Sequence, residues 1–270
     1  MPDTDFDPLF GADLAEIPLP AAPLVTVLAQ VRFPEIISIQ QKPFIAAFQE
    51  LVRSDYPILS DEVLKTVAFN EQVGTVASSD EVIWRFVDAS AGWRLTLTST
   101  FLTLETRRYT SRADFSKRFD KVIRALEEAV KPTHVTRVGI RYVDRVPLKD
   151  GQSFDGMLRD EMMGIPGTVL GRNVVHSISE IVCNVKEGQM LARWGMLPPR
   201  GSHDPEAMPP VKDASWFLDL DTFINHQSSP VPFDASVIRA NVLDLAARSY
   251  AFFRWAVTER FLQSFGGVTT

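Results

Sequence analysis

The stretch GWRLTLTSTFLTLETRRYTSRADFSKRFDKVIRALEEAV, residues 92–130, carries two periodicities in succession. Up to about Tyr109 apolar and polar residues alternate, the period of a half-buried strand, with a reversal near Ser99–Thr100. From Ser111 the period changes. Ser111 with Asp114 three positions on resembles a capping box, and Phe115, Phe119, Val122, Leu126 and Val130 form one stripe of a helix that Pro132 stops. Two short antiparallel strands followed by a covering helix define an α+β architecture, because strands of a parallel sheet buried on both faces read as apolar throughout.

The pattern extends on both sides. LVTVLAQVRFP, 24–34, is a strand with Val25, Val27, Ala29, Val31 and Phe33 on one face, and Pro43 opens a helix carrying Phe44, Ile45, Phe48, Leu51 and Val52. Strands are expected in TVAFNEQ (66–72) and EVIWRFVD (81–88), with DASAG (88–92) as a hairpin loop. Residues 149–172 read as a glycine-rich connecting loop, 174–188 and 189–197 as strands joined near Gly188, and 198–210 as a surface excursion. ASWFLDLDTFINHQ, 214–227, is a further strand. Asp234 caps a helical stretch expected over 235–265, with Gly266 and Gly267 as its stop.

SWFLDLDTFINHQSSPVPFDASVIRANVLDLAARSYAFF, 215–253, repeats the order of 92–130: Trp, alternating strand, polar connection, cap, long helix. The expectation is two similar modules of antiparallel strands, each covered by a long amphipathic helix. The first spans 24–148 and the second 173–267, with 149–172 between them and an acidic flexible arm over 1–23.

Composition narrows the function classes. The chain has 270 residues, 45% of them hydrophobic, enough for a substantial core. Residues 1–20 contain Asp3, Asp5, Asp7, Asp13 and Glu16 and no Lys or Arg, so of the net charge of −6 only −1 belongs to residues 21–270. A nearly neutral body has no general attraction to polyphosphate, which counts against non-specific nucleic-acid binding. The single Cys183 excludes a disulfide framework and reads as a small buried residue. No run of sequence approaches a membrane span, and the N-terminus lacks the basic and apolar regions of a secretory signal, so a soluble cytoplasmic protein is expected.

Motif searching is mostly negative. There is no G-x-G-x-x-G, no phosphate-binding G-x-x-x-x-G-K-[ST] loop, no G-x-S-x-G elbow and no cysteine pair for zinc, so no cofactor or metal is expected. Ser202, His203 and Asp204 contain the residue types of a hydrolytic triad, but consecutive loop positions do not aim three side chains along one hydrogen-bonded line. WFLDLDTF resembles the first motif of haloacid-dehalogenase-like phosphotransferases. Fewer than fifty residues follow it, nearly all helical, which leaves no room for the parallel sheet that fold requires.

The most informative polar feature is VTRVGIRYVDRV, 135–146. Arg137, Arg141 and Arg145 recur at every fourth position of a strand, on one side and ~13 Å apart. Arg32 on the first strand points away from its own apolar face, and Gly139 on the arginine face permits close approach of a ligand or backbone. Two readings stand. In one the guanidiniums form an internal ladder neutralised by Glu105, Asp144, Asp219 or Asp221, each exposed pair worth at most about 1 kcal/mol. In the other Arg32, Arg137, Arg141 and Arg145, with Glu105 and Asp144 nearby, form a patch that grips a carboxylate, a phosphate or an acidic protein segment.

The order of APLVTVLAQVRFP, GWRLTLTSTFLTLETRRY, RVGIRYVDRV and WFLDLDTF resembles a sporadically distributed bacterial and archaeal family of about this length. In that family the first strand ends Glu-x-Arg-Phe-Pro and the middle strand reads R-x-G-x-R-Y-x-N-R. Here Arg137, Gly139, Arg141, Tyr142 and Arg145 match, while Gln30 stands for the Glu and Asp144 for the Asn. The resemblance covers the chain from residue 23, implies no known reaction, and by its patchy distribution implies accessory cargo such as a defence or toxin–antitoxin component. The expectation is a non-enzymatic binding module whose arginine-lined sheet face engages an acidic protein partner or small anion. The alternative is a metal-assisted phosphoesterase or nuclease-like enzyme using Arg and Asp residues. A third reading is a homo-oligomer formed through Phe252, Phe253 and Trp255 of the last helix.

Overall fold

The structure is a computed structural model that describes residues 6–70, 75–148, 154 and 156–268. In chain order the elements are β1 (Leu24–Arg32), α1 (Lys42–Val52), β2 (Ile58–Asn70), β3 (Thr75–Val87), β4 (Trp93–Leu97), β5 (Phe101–Thr106), α2 (Arg112–Ala129), β6 (His134–Val135) and β7 (Arg137–Pro147). They continue with α3 (Asp160–Met163), β8 (Ser177–Asn184), β9 (Gln189–Leu197), β10 (Ser215–Asn225), β11 (Val231–Pro232), α4 (Ala235–Ala256) and α5 (Glu259–Ser264). The chain is therefore α+β, and β2–β3, β3–β4, β4–β5, β8–β9 and β9–β10 are all antiparallel pairs. The end of the strand expected over 66–72, residues 71–72, lies outside the described residues, as do parts of the 149–172 loop and the first five residues of the arm.

Two compact units divide the chain. One comprises Leu28–Val138 with Asn225–Val242; the other comprises Met1–Val27, Gly139–Ile224 and Leu243–Thr270.

In the Leu28–Val138 unit the strand order is β2-β3-β4-β5-β1. Trp84, Phe86, Trp93, Leu95, Leu97, Leu102 and Leu104 are buried on one face. Both helices cover that face: Phe48 of α1 meets Phe86 edge-on, with ring centroids 5.4 Å apart, and Phe115 of α2 lies 5.8 Å from Trp93. The expected cap is present, with the Ser111 hydroxyl accepting the Asp114 N–H at 3.1 Å.

In the Gly139–Ile224 unit the order is β7-β10-β9-β8. Trp216, Leu218, Leu220, Met190 and Ala192 face Phe252, Phe253, Phe261 and Leu262 of the terminal helices. Phe252 and Phe253 therefore belong to the intramolecular core rather than to an oligomer interface, since a ring buried among its own chain's side chains has no surface left for a partner. The opposite face carries a smaller cluster in which Val143, Leu197 and Phe217 are covered by Ala207 and Met208 of the 198–214 loop.

Two expectations need adjusting. The helix expected over 235–265 is interrupted: α4 stops at Ala256, Val257 bridges to Leu158, and the Thr258 hydroxyl accepts the Phe261 N–H at 3.3 Å to cap α5. The break turns Phe261 back against Phe253, with centroids 5.9 Å apart. From Phe6 onward the acidic arm is docked. Leu9, Ile17 and Leu19 pack on the helical core, the Ile17 N–H donates to the Tyr250 hydroxyl at 2.7 Å, and the Lys186 N–H donates to the Leu9 carbonyl at 3.0 Å. Among the described residues no helix is long and apolar enough to cross a membrane.

Candidate functional site

The six residues expected to form one arginine site fall into two groups, one in each unit.

In the Leu28–Val138 unit, strand alternation that buries Leu95, Leu97, Leu102 and Leu104 turns Arg94, Thr96, Phe101, Thr103 and Glu105 to the other face. The β4–β5 register sets Arg94 opposite Glu105, and Arg94 Nη2 donates to Glu105 Oε2 at 2.6 Å. Arg85 Nη2 donates likewise to Glu62 Oε2 at 3.0 Å. From β1, Gln30 Nε2 donates to Thr103 Oγ1 at 3.2 Å, and Arg137 Nη1 reaches Gln30 Oε1 at 3.5 Å. Arg32 is exposed. Its guanidinium carbon stands 5.9 Å from the centre of the Phe101 ring, and among the described residues no carboxylate pairs with it. This face thus presents cations, neutral hydrogen-bonding groups and one aromatic ring on a rigid sheet. Glu105 contributes by holding Arg94 rather than by facing a ligand.

In the Gly139–Ile224 unit the arginines are occupied. Arg141 forks onto Asp219, its Nε donating to Oδ1 at 2.8 Å and its Nη2 to Oδ2 at 2.7 Å, while its Nη1 lies 2.8 Å from Asp204 Oδ2. Burial opposes the charge on Arg141, but the hydrogen bonds and attraction of Asp219 and Asp204 outweigh it and raise its pKa. Burial alone would raise both carboxyls; the Arg141 hydrogen bonds win and hold Asp219 and Asp204 below the usual carboxylate range. Arg145 is buried among neutral acceptors, with Nε donating to Ser215 Oγ at 2.9 Å, Nη1 to the Pro209 carbonyl at 2.6 Å and Nη2 to the Gly201 carbonyl at 2.8 Å. Desolvation lowers its pKa. Both side chains tie the 198–214 loop to the sheet.

Asp144 projects from the opposite side of β7. The Arg141–Asp219 and Arg145–Ser215 contacts step four residues along β7 and β10 in opposite directions, which sets Asp144 across from Trp216. Burial, reinforced by the charge of Asp219, pushes the Asp144 carboxyl up to about 7, and no group acts in the other direction. Trp216 Nε1 is also buried, with no hydrogen-bond partner among the described residues.

The loop adds a group that spacing alone did not single out. His203 Nε2 lies 2.8 Å from Asp219 Oδ2, its ring stacks on Phe217 with centroids 4.7 Å apart, and its Nδ1 is buried with no partner among the described residues. Because Asp219 is ionised, Nε2 is the ring nitrogen that donates to it. The consecutive Ser202, His203 and Asp204 form no triad: Ser202 Oγ donates to the Met208 carbonyl at 2.6 Å, and Asp204 turns to Arg141. The available signal was the WFLDLDTF strand, whose Asp219 faces the same side as the arginines once β10 lies beside β7.

Among the described residues no group of three or more His, Cys, Asp or Glu converges to hold a metal. A cavity of about 370 Å³ is lined by Phe154, Leu158, Asp160, Met163 and Thr168 and by none of the expected site residues. Comparison with protein-family models and with curated protein sequences returns no match.

Proposed function

We propose that this chain is a binding protein that engages an acidic segment of a partner protein on the open sheet face of the Leu28–Val138 unit, with Arg32 as its principal anchor. One observation carries the reading: Arg32 is exposed over Phe101 without a carboxylate partner among the described residues, beside Gln30, Thr103 and Arg137 on the face that α1 and α2 leave uncovered. A guanidinium backed by an aromatic ring and neutral donors offers its fork to an incoming carboxylate at little desolvation cost. The reading includes two modules of similar order, supported by the shared strand-then-helix pattern of 92–130 and 215–253, and a cytoplasmic setting, in keeping with the unpaired Cys183. Anisotropy of a labelled polyglutamate probe tests it. Binding that weakens with salt and is lost in Arg32→Glu, with an unchanged melting temperature, is the expected outcome; a wild-type chain that ignores the probe at low salt refutes it.

One observation favours an enzyme instead, the Asp219-oriented imidazole whose buried Nδ1 has no hydrogen-bond partner among the described residues. An imidazole oriented by a carboxylate is the usual frame of a general acid–base group. Turnover in a phosphoesterase screen that vanishes in His203→Asn, in protein of unchanged fold, would select this reading.

A further inference from the structure

The β8 strand ends the strand order and, among the described residues, is hydrogen-bonded on one side only, to β9. Its sequence, SISEIVCN, contains no proline and no lysine, the residues that blunt an edge against pairing. Most of the strand is exposed on both faces. Of the fourteen large apolar side chains that stand exposed among the described residues, seven fall between Ile165 and Val182. Val169 is 87% exposed, Val175 75% and Val182 62%. Such a concentration beside an open ladder is the signature of a surface that is covered in use.

We propose that β8 pairs antiparallel with β8 of a second copy of this chain about a two-fold axis through Ile181, making a homodimer joined edge to edge. The charge on the strand identifies the occupant. Glu180 is its one charged residue and is already neutralised by Arg193 on β9, to which the register pairs it, so the edge asks for no basic or acidic partner. A neutral apolar edge is what a second copy supplies, and an edge of backbone donors and acceptors is self-complementary under two-fold antiparallel pairing. Centring the axis on Ile181 places Ile181 against Ile181 and Ser179 against Cys183. It also sets Glu180 against Val182, whereas centring it on Glu180 would oppose two carboxylates. The surface is distinct from the anion-binding face and does not depend on it.

Sedimentation of the full chain provides the test. The wild type is expected to be a dimer at micromolar concentration. Val182→Glu, which opposes Glu180 of the other copy, should weaken the dimer at least tenfold, while Val182→Lys should retain it; both change an exposed side chain and should keep the fold. Ile181→Cys in a Cys183→Ser background should cross-link to a covalent dimer under mild oxidation by copper phenanthroline. A wild type that stays monomeric, a dimer that Val182→Glu leaves intact or Val182→Lys abolishes, or a dimer that fails to cross-link through position 181 overturns the proposal.

Discussion

Asp219 is 1% exposed and its charge is held by two bonds from one guanidinium. Removing Arg141 leaves that buried charge with the His203 contact alone. Arg141→Ala should therefore cost about 3–5 kcal/mol, and Arg141→Lys should recover only part of it, because an ammonium does not reproduce the fork. Urea denaturation measures both, and an Arg141→Ala protein as stable as wild type would contradict the clamp. Asp144 makes the opposite kind of contribution. Its folded pKa of about 7 lies above the ordinary aspartate value of 3.8, so the folded chain binds a proton that the unfolded chain releases between those limits. The resulting penalty is small at about pH 4, grows as the pH rises and is complete above about pH 7, where it amounts to roughly 4 kcal/mol. Asp144→Asn should stabilise the protein at about pH 8 and leave it nearly unchanged at about pH 4; a gain independent of pH would show that ionisation is not the cause.

At the level of single elements, Gly195 decides whether β8 and β9 can meet. Its φ is +153°, and a Cβ there would lie 2.0 Å from the Ser177 carbonyl oxygen, inside a backbone pair that cannot give way. Gly195→Ala should cost more than about 2 kcal/mol and raise amide exchange across 177–184. Retained protection there would mean that the strand accommodates the methyl. The α2 helix rests on a cheaper device. Ser111→Ala should cost about 1 kcal/mol, the usual worth of one capping hydroxyl. The caps, the β4–β5 reversal and the extended middle strand were legible because each depends on residues within a few positions of one another. The break at Val257–Thr258 was not. The periodicity of 235–265 continues through it, and the interruption depends on Leu158, about a hundred residues earlier.

Across the whole chain, the least legible feature is the seating of the acidic segment. Five acidic residues, with Pro and Ala and no periodicity, make residues 1–20 read as a free arm. Yet Arg248, fully buried, donates through Nη1 to the Gly11 carbonyl at 3.1 Å and the Pro8 carbonyl at 3.3 Å, while Nε and Nη2 reach Glu187 at 3.0 Å each. Deleting residues 1–19 would expose this pair and strip Leu9, Ile17 and Leu19 from the core. The truncated chain should melt at a lower temperature and bind a hydrophobic dye that the full chain ignores; unchanged melting would make the docking energetically idle.

The sequence by itself determined the class of the fold, the polarity of each strand face, the caps and the reversal at Ser99–Thr100, because alternation, helical spacing and capping are local properties of the chain. It also brought Arg32, Arg137, Arg141 and Arg145 forward as the polar residues of interest. Only the tertiary structure decided their roles. Arg141 and Arg145 are consumed by Asp219, Asp204, Ser215 and two loop carbonyls, whereas Arg32 keeps its fork exposed over Phe101. The reason is that a guanidinium acts through the acceptors within about 3 Å of it. For Arg141 and Arg145 those acceptors come from positions 56 to 78 residues further along the chain, brought close by strand order and loop packing that no local pattern encodes.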